Sequence, residues 1–403
     1  MKALFIKFIH FFDPFAEPLL KKILISGWYG FDNAGDDAIL YQFLQEMAQS
    51  DHVTVLSERP QRVTDLMGSS TTKVAFHHKT LGPSALRSAL TGQLWQHIMR
   101  IKNADLFVLG GGGLLRDNTS IKNVCRLLDE IFWAKLFGKS VALYAIGVGP
   151  FTSRFGTWLI KLAVNLCDLI TVRETQSKEL LESLSIASDR IHVVADPAFL
   201  LQGTPPNDTA LLERVKQRKL VGVFPSLGFV RDGKDFSHVP RLAAALDQIH
   251  EQHKVNFLAL PMRFLRHEQD DVYVGNLVKQ MMKYPHALDV YDDYLEPAEL
   301  KWLAGRFLFN ITVRLHAMIF SLSEETPVVA INYEPKVSNV IKSFGLDDYL
   351  VQMDEELQPQ LVKAADQCLR EIESYRRHIA SRLPACKESA KRTFDLLRHL
   401  LHS

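Results

Sequence analysis

Residues Lys22 to Met47 read KILISGWYGFDNAGDDAILYQFLQEM. Ile23 to Ser26 is a short apolar run bounded by glycine, the pattern of a buried strand. A helix is expected from about Asp36, because Ile39, Leu40, Phe43, Leu44 and Met47 recur at helical spacing on one face. Strand, glycine-bearing loop and helix in that order form the unit from which parallel sheets with crossover helices are built.

The same unit repeats outward. Further strands are expected at Val53 to Leu56, Val74 to His77, Leu106 to Leu109, Val141 to Ile146, Leu169 to Val172 and Ile191 to Val194. The polar, breaker-rich stretch Gly203 to Asp208 then marks a domain boundary. A second set runs through Leu220 to Phe224, Asn256 to Leu260, Leu288 to Tyr291, Phe307 to Thr312, Val328 to Ile331 and Tyr349 to Val351. Helices are expected from about His238 and Glu268 and around Glu299, and long amphipathic helices run on after Pro359. The expectation is an α/β protein of two Rossmann-like domains with the glycosyltransferase-B type of architecture and C-terminal helices. An N-terminal arm covers 1–21, the first domain 22–202, and the second domain with its terminal helices 209–403. In such sheets ligands bind at the carboxyl ends of the strands.

Composition restricts the partners. Lys and Arg total 47 against 46 Asp and Glu, a net charge of +1, so no global field favours nucleic acid and any anion site must be local. Cys125, Cys167, Cys368 and Cys386 are widely spaced without a C-x-x-C pair, which argues against a zinc or redox site and for a reducing, cytoplasmic setting. No stretch reaches the roughly 18 apolar residues that a membrane span needs. The first fifteen residues, MKALFIKFIHFFDPF, are basic and aromatic without a small-residue cleavage site. They read either as an interfacial anchor at the inner face of the membrane or as a domain-packing arm or start-site extension.

Candidate chemistry gathers at the ends of the expected strands. Asn33, at the apex of the loop Ser26 to Asp37, is placed to donate to a carboxylate or a sugar hydroxyl, or else simply to cap the following helix. Leu109 to Leu115, LGGGGLL, sets Gly111 and Gly112 after a strand, where backbone N–H groups can meet an anion or the loop can pack closely against the opposite domain. Gly147 to Pro150 offers the same choice. Arg173 ends a strand and suits a carboxylate or phosphate, or an ion pair with Glu174. In Thr312 to Lys336, TVRLHAMIFSLSEETPVVAINYEPK, Arg314 and His316 open a helix and Lys336 follows the next strand. A histidine at a helix start lies at the positive end of the helix dipole and responds to an anion bound beside it.

The ordered segments GWYGFDNAGDDA, LFVLGGGGLL, AIGVGPF, TVRE, VADPAF and VRLHAMIFSLSEETPVVAINYEPK resemble the polysaccharide pyruvyl transferase family, in particular its bacterial cell-wall and exopolysaccharide branch, from about Lys22 to about Leu350. The resemblance implies phosphoenolpyruvate as the donor substrate, with no further cofactor or metal. It implies a pyruvate ketal formed on a sugar of a cell-surface polysaccharide or its lipid-linked precursor, and phosphate released. It also implies that Asn33, Arg173, His316 and Lys336 surround the donor. His316 is then the expected proton-transfer group, and Arg173, Arg314 and Lys336 hold the donor's charges. Asn33 and Arg173 join His316 as expected catalytic residues. The alternative on the same architecture is a nucleotide-sugar-dependent glycosyltransferase. The loop Pro261 to Asp271 is more basic than the family pattern, and the arm before Lys22 has no counterpart in it.

Overall fold

A computed structural model of the chain describes residues 20–48, 51–67, 73–76, 92–117, 121–217, 219–226, 236–264 and 270–403. The N-terminal arm up to residue 19 lies outside the described residues. The first sheet has seven parallel strands: β1 (Lys22–Ser26), β2 (His52–Ser57), β3 (Lys73–Phe76), β4 (Leu106–Gly110), β5 (Ser140–Ile146), β6 (Leu169–Val172) and β7 (Ile191–Val193), in the order β3-β2-β1-β4-β5-β6-β7. The second has six: β8 (Leu220–Phe224), β9 (Asn256–Ala259), β10 (Leu288–Val290), β11 (Asn310–Thr312), β12 (Val328–Asn332) and β13 (Leu350–Gln352), in the order β10-β9-β8-β11-β12-β13. Every strand pairing is parallel. Each strand is a short apolar run, and the central β4 and β8 are buried along their whole length, as helices on both faces of a parallel sheet require.

Strand order reverses between β1 and β4 in one sheet and between β8 and β11 in the other. At these switch points adjacent loops diverge and leave a crevice at the carboxyl ends of the strands. The two crevices face each other. The loop after β1 docks on the segment after β9: Ala34 N–H donates to Met262 O at 2.9 Å, Phe264 N–H to Asp32 O at 3.2 Å, and Asn33 bridges to Arg263. One continuous apolar core runs from the helix Ala34–Met47 through Phe199 to the helix Leu315–Ser323 and the second sheet.

The final helix, Ile372–His402, returns to the first sheet. Phe394 packs on Tyr144 of β5 with ring centroids 5.6 Å apart. Ser389 Oγ accepts from Ala195 N–H at 3.0 Å, and Arg398 donates to Glu46 O and Oε2 at 3.0 and 2.9 Å. The chain thus starts in the first layer, builds the second, and closes back over the first.

Candidate functional site

A cavity of about 550 Å³ lies between the domains at both switch points. Asn33 enters it after β1, Gly112 after β4, Arg173 after β6, Arg314 and His316 after β11, and Lys336 after β12. Strand ends alone account for this convergence. Gly111 does not line the cavity. Its φ of +78° and the 3.1 Å that an added Cβ would leave to Ile39 Cγ2 show a turn seated on the helix Ala34–Met47. Gly112, also at positive φ, would set a Cβ 2.4 Å from Asp36 Oδ1, whereas Gly113 faces open space. Close packing therefore explains the middle of the glycine run, while its end opens onto the cavity.

Asn33 acts as a cap. Its Oδ1 accepts from Gly35 N–H at 3.4 Å and its Nδ2 donates to Asp36 Oδ2 at 2.6 Å. A cap of this kind satisfies helix donors that otherwise lack partners. It also leaves Asn33 at the cavity wall.

Arg173 and His316 meet at a residue that strand-end reasoning passed over. Asp196 Oδ2 accepts from Arg173 Nη1 at 2.7 Å and lies 3.5 Å from His316 Nε2, too far for a full hydrogen bond but close enough for charge to act. Asp196 also accepts from Ala198 N–H at 3.0 Å, capping the turn Pro197–Phe199. Burial alone would raise the Asp196 carboxyl, but His316, Arg173 and that N–H together hold it well below the usual carboxylate range. Asp196 is therefore a fixed anion. The Arg173 and Asp196 side chains are 4% and 3% exposed, which makes them a buried pair whose breakage would leave an uncompensated charge.

The His316 ring rests on the first turn of the opposite domain's helix. A Cβ added to Gly35 would come within 2.0 Å of His316 Nδ1, so glycine is what lets the two helix starts, Ala34 and Leu315, close on each other. Both present the positive ends of their dipoles to the cavity.

Arg314, expected to help hold the donor's charges, lines the cavity while paired with a carboxylate. Its Nε and Nη2 donate to Asp271 Oδ2 and Oδ1 at 2.8 and 2.7 Å, and Asp271 accepts again from Met262 and Arg263 N–H. The fork fits the carboxylate bidentately and fixes the segment after β9 against the β11 loop. Lys336 is paired with Glu334 at 2.5 Å and stays partly exposed. Spacing in the sequence gave no hint that each of the three expected cations carries its own carboxylate.

Sequence reasoning also passed over Arg116 and Arg126, while the basic loop Pro261 to Asp271 contributes Arg263. In all, six Arg and Lys side chains line the cavity against two carboxylates, Asp36 and Glu334. Arg116 and Arg263 have no carboxylate partner among the described residues. The other four are matched, Arg173 by Asp196, Arg314 by Asp271, Arg126 by Glu58 and Lys336 by Glu334.

Two Rossmann-like sheets facing across a cleft, with a terminal helix returning to the first, define the glycosyltransferase-B type of architecture. Solved structures with this fold include a putative UDP-N-acetylglucosamine 2-epimerase from Listeria monocytogenes, 14% identical with a TM-score of 0.65 over 95% of this chain and 98% of that one. Another is Alr3699/HepE of Anabaena in complex with UDP, 13% identical with a TM-score of 0.65 over 94% of this chain and 99% of that one. Within this class, the family model for polysaccharide pyruvyl transferase matches residues 33–335, well over half of the chain. The chain belongs to the polysaccharide pyruvyl transferase family. A curated relative is the amylovoran biosynthesis protein AmsJ of Erwinia amylovora, 23% identical across 89% of this chain and 94% of that protein.

Proposed function

We propose that the protein transfers pyruvate from phosphoenolpyruvate to a pair of hydroxyls on one sugar of a cell-surface polysaccharide or its precursor, forming a ketal and releasing phosphate. The observation that carries this reading is the pair of cations, Arg116 and Arg263, that line one inter-domain cavity without a carboxylate partner among the described residues, beside the paired Arg173, Arg314, Arg126 and Lys336. Phosphoenolpyruvate joins a carboxylate to a phosphate of about −1.5 to −2 charge, as in other phosphate monoesters. Two or three charge-assisted hydrogen bonds at about 1.5 to 3 kcal/mol each supply the roughly 4 to 8 kcal/mol of millimolar to micromolar binding. A three-carbon donor fills only part of the cavity and leaves room for a sugar.

In this reading the methylene of the donor takes a proton from His316 while the first hydroxyl attacks C2. His316 regains a proton from that hydroxyl. The C–O bond to phosphate then breaks, the second hydroxyl closes the ketal, and its proton leaves with the phosphate. With Nε2 turned to Asp196, Nδ1 is the ring nitrogen left to exchange protons, and Asp196 stabilises the cationic ring as it forms. Arg173, Lys336, Arg116 and Arg263 balance charge on the donor and on the departing phosphate.

The second reading is sugar transfer from a nucleotide sugar, favoured by the UDP complex of a protein of similar fold. Ligand-dependent melting separates the two. Phosphoenolpyruvate at a hundred times its Kd should stabilise the protein by about 2.7 kcal/mol through mass action, and UDP-sugars should leave the melting temperature unchanged. Protection by a UDP-sugar and none by phosphoenolpyruvate would reverse the assignment.

A further inference from the structure

The helices Gln93–Asn103, Ile121–Leu136 and Arg154–Leu166 form one layer over a face of the first sheet. Their inner sides fill the core with residues such as Ile101, Leu127, Ile131 and Ile160. Their outer sides are unusual for a face in water. Trp95, Phe132, Leu136, Phe155 and Trp158 are 64%, 53%, 59%, 60% and 55% exposed. Eight of the twelve large apolar side chains exposed among the described residues lie on these three helices. Phe155 and Trp158, one helical turn apart, stack on each other at 5.9 Å with their faces in solvent. Scattered exposed apolar groups need no explanation, but a cluster spanning three neighbouring helices marks an interaction surface.

Charge selects the partner. The three helices carry seven Lys and Arg against two acidic residues, Asp129 and Glu130; Arg126 and Lys135 are matched by Glu58 and Asp168 on neighbouring elements, and the remaining five keep the layer cationic in a chain of net charge +1. Lys102, Arg154 and Lys161 flank the aromatic ridges. Aromatic tips among cations, spread over a broad helical face, match an anionic lipid surface, where Trp and Phe settle among headgroups and Lys and Arg meet the negative potential. No described helix is long and apolar enough to cross a membrane, which leaves lying against it. The middle helix links this face to chemistry, since Asn123, Arg126 and Leu127 near its start line the inter-domain cavity.

We propose that this three-helix face docks on an anionic bilayer and brings the inter-domain cavity to the membrane surface.

The test is co-sedimentation of the full chain with phosphatidylglycerol-containing vesicles and with neutral phosphatidylcholine vesicles at two ionic strengths. Wild type should prefer the anionic vesicles and bind more weakly in salt. The double variant Phe155→Ser/Trp158→Ser should bind at least tenfold more weakly with an unchanged melting temperature. Lys102→Glu/Arg154→Glu should lose the preference for anionic lipid. Docking is overturned if wild type ignores the vesicles or if the variants bind as wild type does, which would mean that the face is covered by another part of the chain. It is equally overturned if Phe155→Ser/Trp158→Ser only splits a dimer and leaves vesicle binding intact.

Discussion

Gly35 is the residue on which the site's geometry turns most sharply. It sits in the first turn of a helix with ordinary helical backbone, where alanine would favour the helix by up to about 1 kcal/mol. The three atoms nearest to an added Cβ all belong to the His316 ring, the closest 2.0 Å from where it would stand. Gly35→Ala should therefore keep the helix while displacing the histidine, and kcat should fall by about 10²-fold or more, as for other misplaced catalytic groups. Initial rates beside a far-ultraviolet spectrum check this; an unchanged rate would show that the ring's position is immaterial. Single residues also show where reading a sequence stops. Arg173, His316 and Lys336 were legible because strand ends and helix starts have local signatures. Asp196 and Asp271 were not, because each acts by receiving a cation 23 or 43 residues away in the chain, and a carboxylate beside a proline or at a helix start looks like an ordinary cap.

Among the elements, all thirteen expected strands coincide with strands, because a buried parallel strand is a short apolar run and little else imitates it at that length. The run expected from Phe307 differs in extent. Its register is set from Asn310, with Leu308 N–H already donating to Leu220 O at 2.9 Å and Phe309 O accepting from Gly222 N–H at 3.1 Å, while the Phe307 side chain is buried in the core. The helix Ala34–Met47 also carries a pH dependence. Asp37 is 2% exposed, and burial pushes its carboxyl up to about 7, with Asp36 and Asp32 adding to the shift and Gly30 N–H and Arg62 opposing it. The folded protein thus holds this proton more tightly than the unfolded chain. Its contribution to stability is fully present below the ordinary carboxylate range and is lost as pH rises through about 7. Asp37→Asn, which mimics the protonated form, should gain on wild type by up to about 4 kcal/mol between pH 4 and pH 7 and then level off. Urea midpoints at several pH values measure the gap, and a gap independent of pH would contradict the assignment.

For the whole molecule, the balance of charge and the placement of two switch points decide what the cleft can do. A chain with one net positive charge concentrates six cations around a single cavity, and the C-terminal helix is pinned back onto the first domain through Phe394, Ser389 and Arg398. The two-sheet architecture was legible from the alternation of strands and helices. How the terminal helix closes back was not, since an amphipathic helix does not state which sheet its apolar face will meet. The proposed pyruvyl transfer draws on the family to which the chain belongs and on the cations of the cleft, and its decisive assay is release of phosphate from phosphoenolpyruvate in the presence of a panel of free and lipid-linked saccharides, with wild type, His316→Ala and Lys336→Ala. Pyruvyl transfer requires that a saccharide triggers release, that it gains the mass of one pyruvate less one water, and that both variants lose the reaction while remaining folded. Consumption of a nucleotide sugar with phosphoenolpyruvate untouched would contradict it.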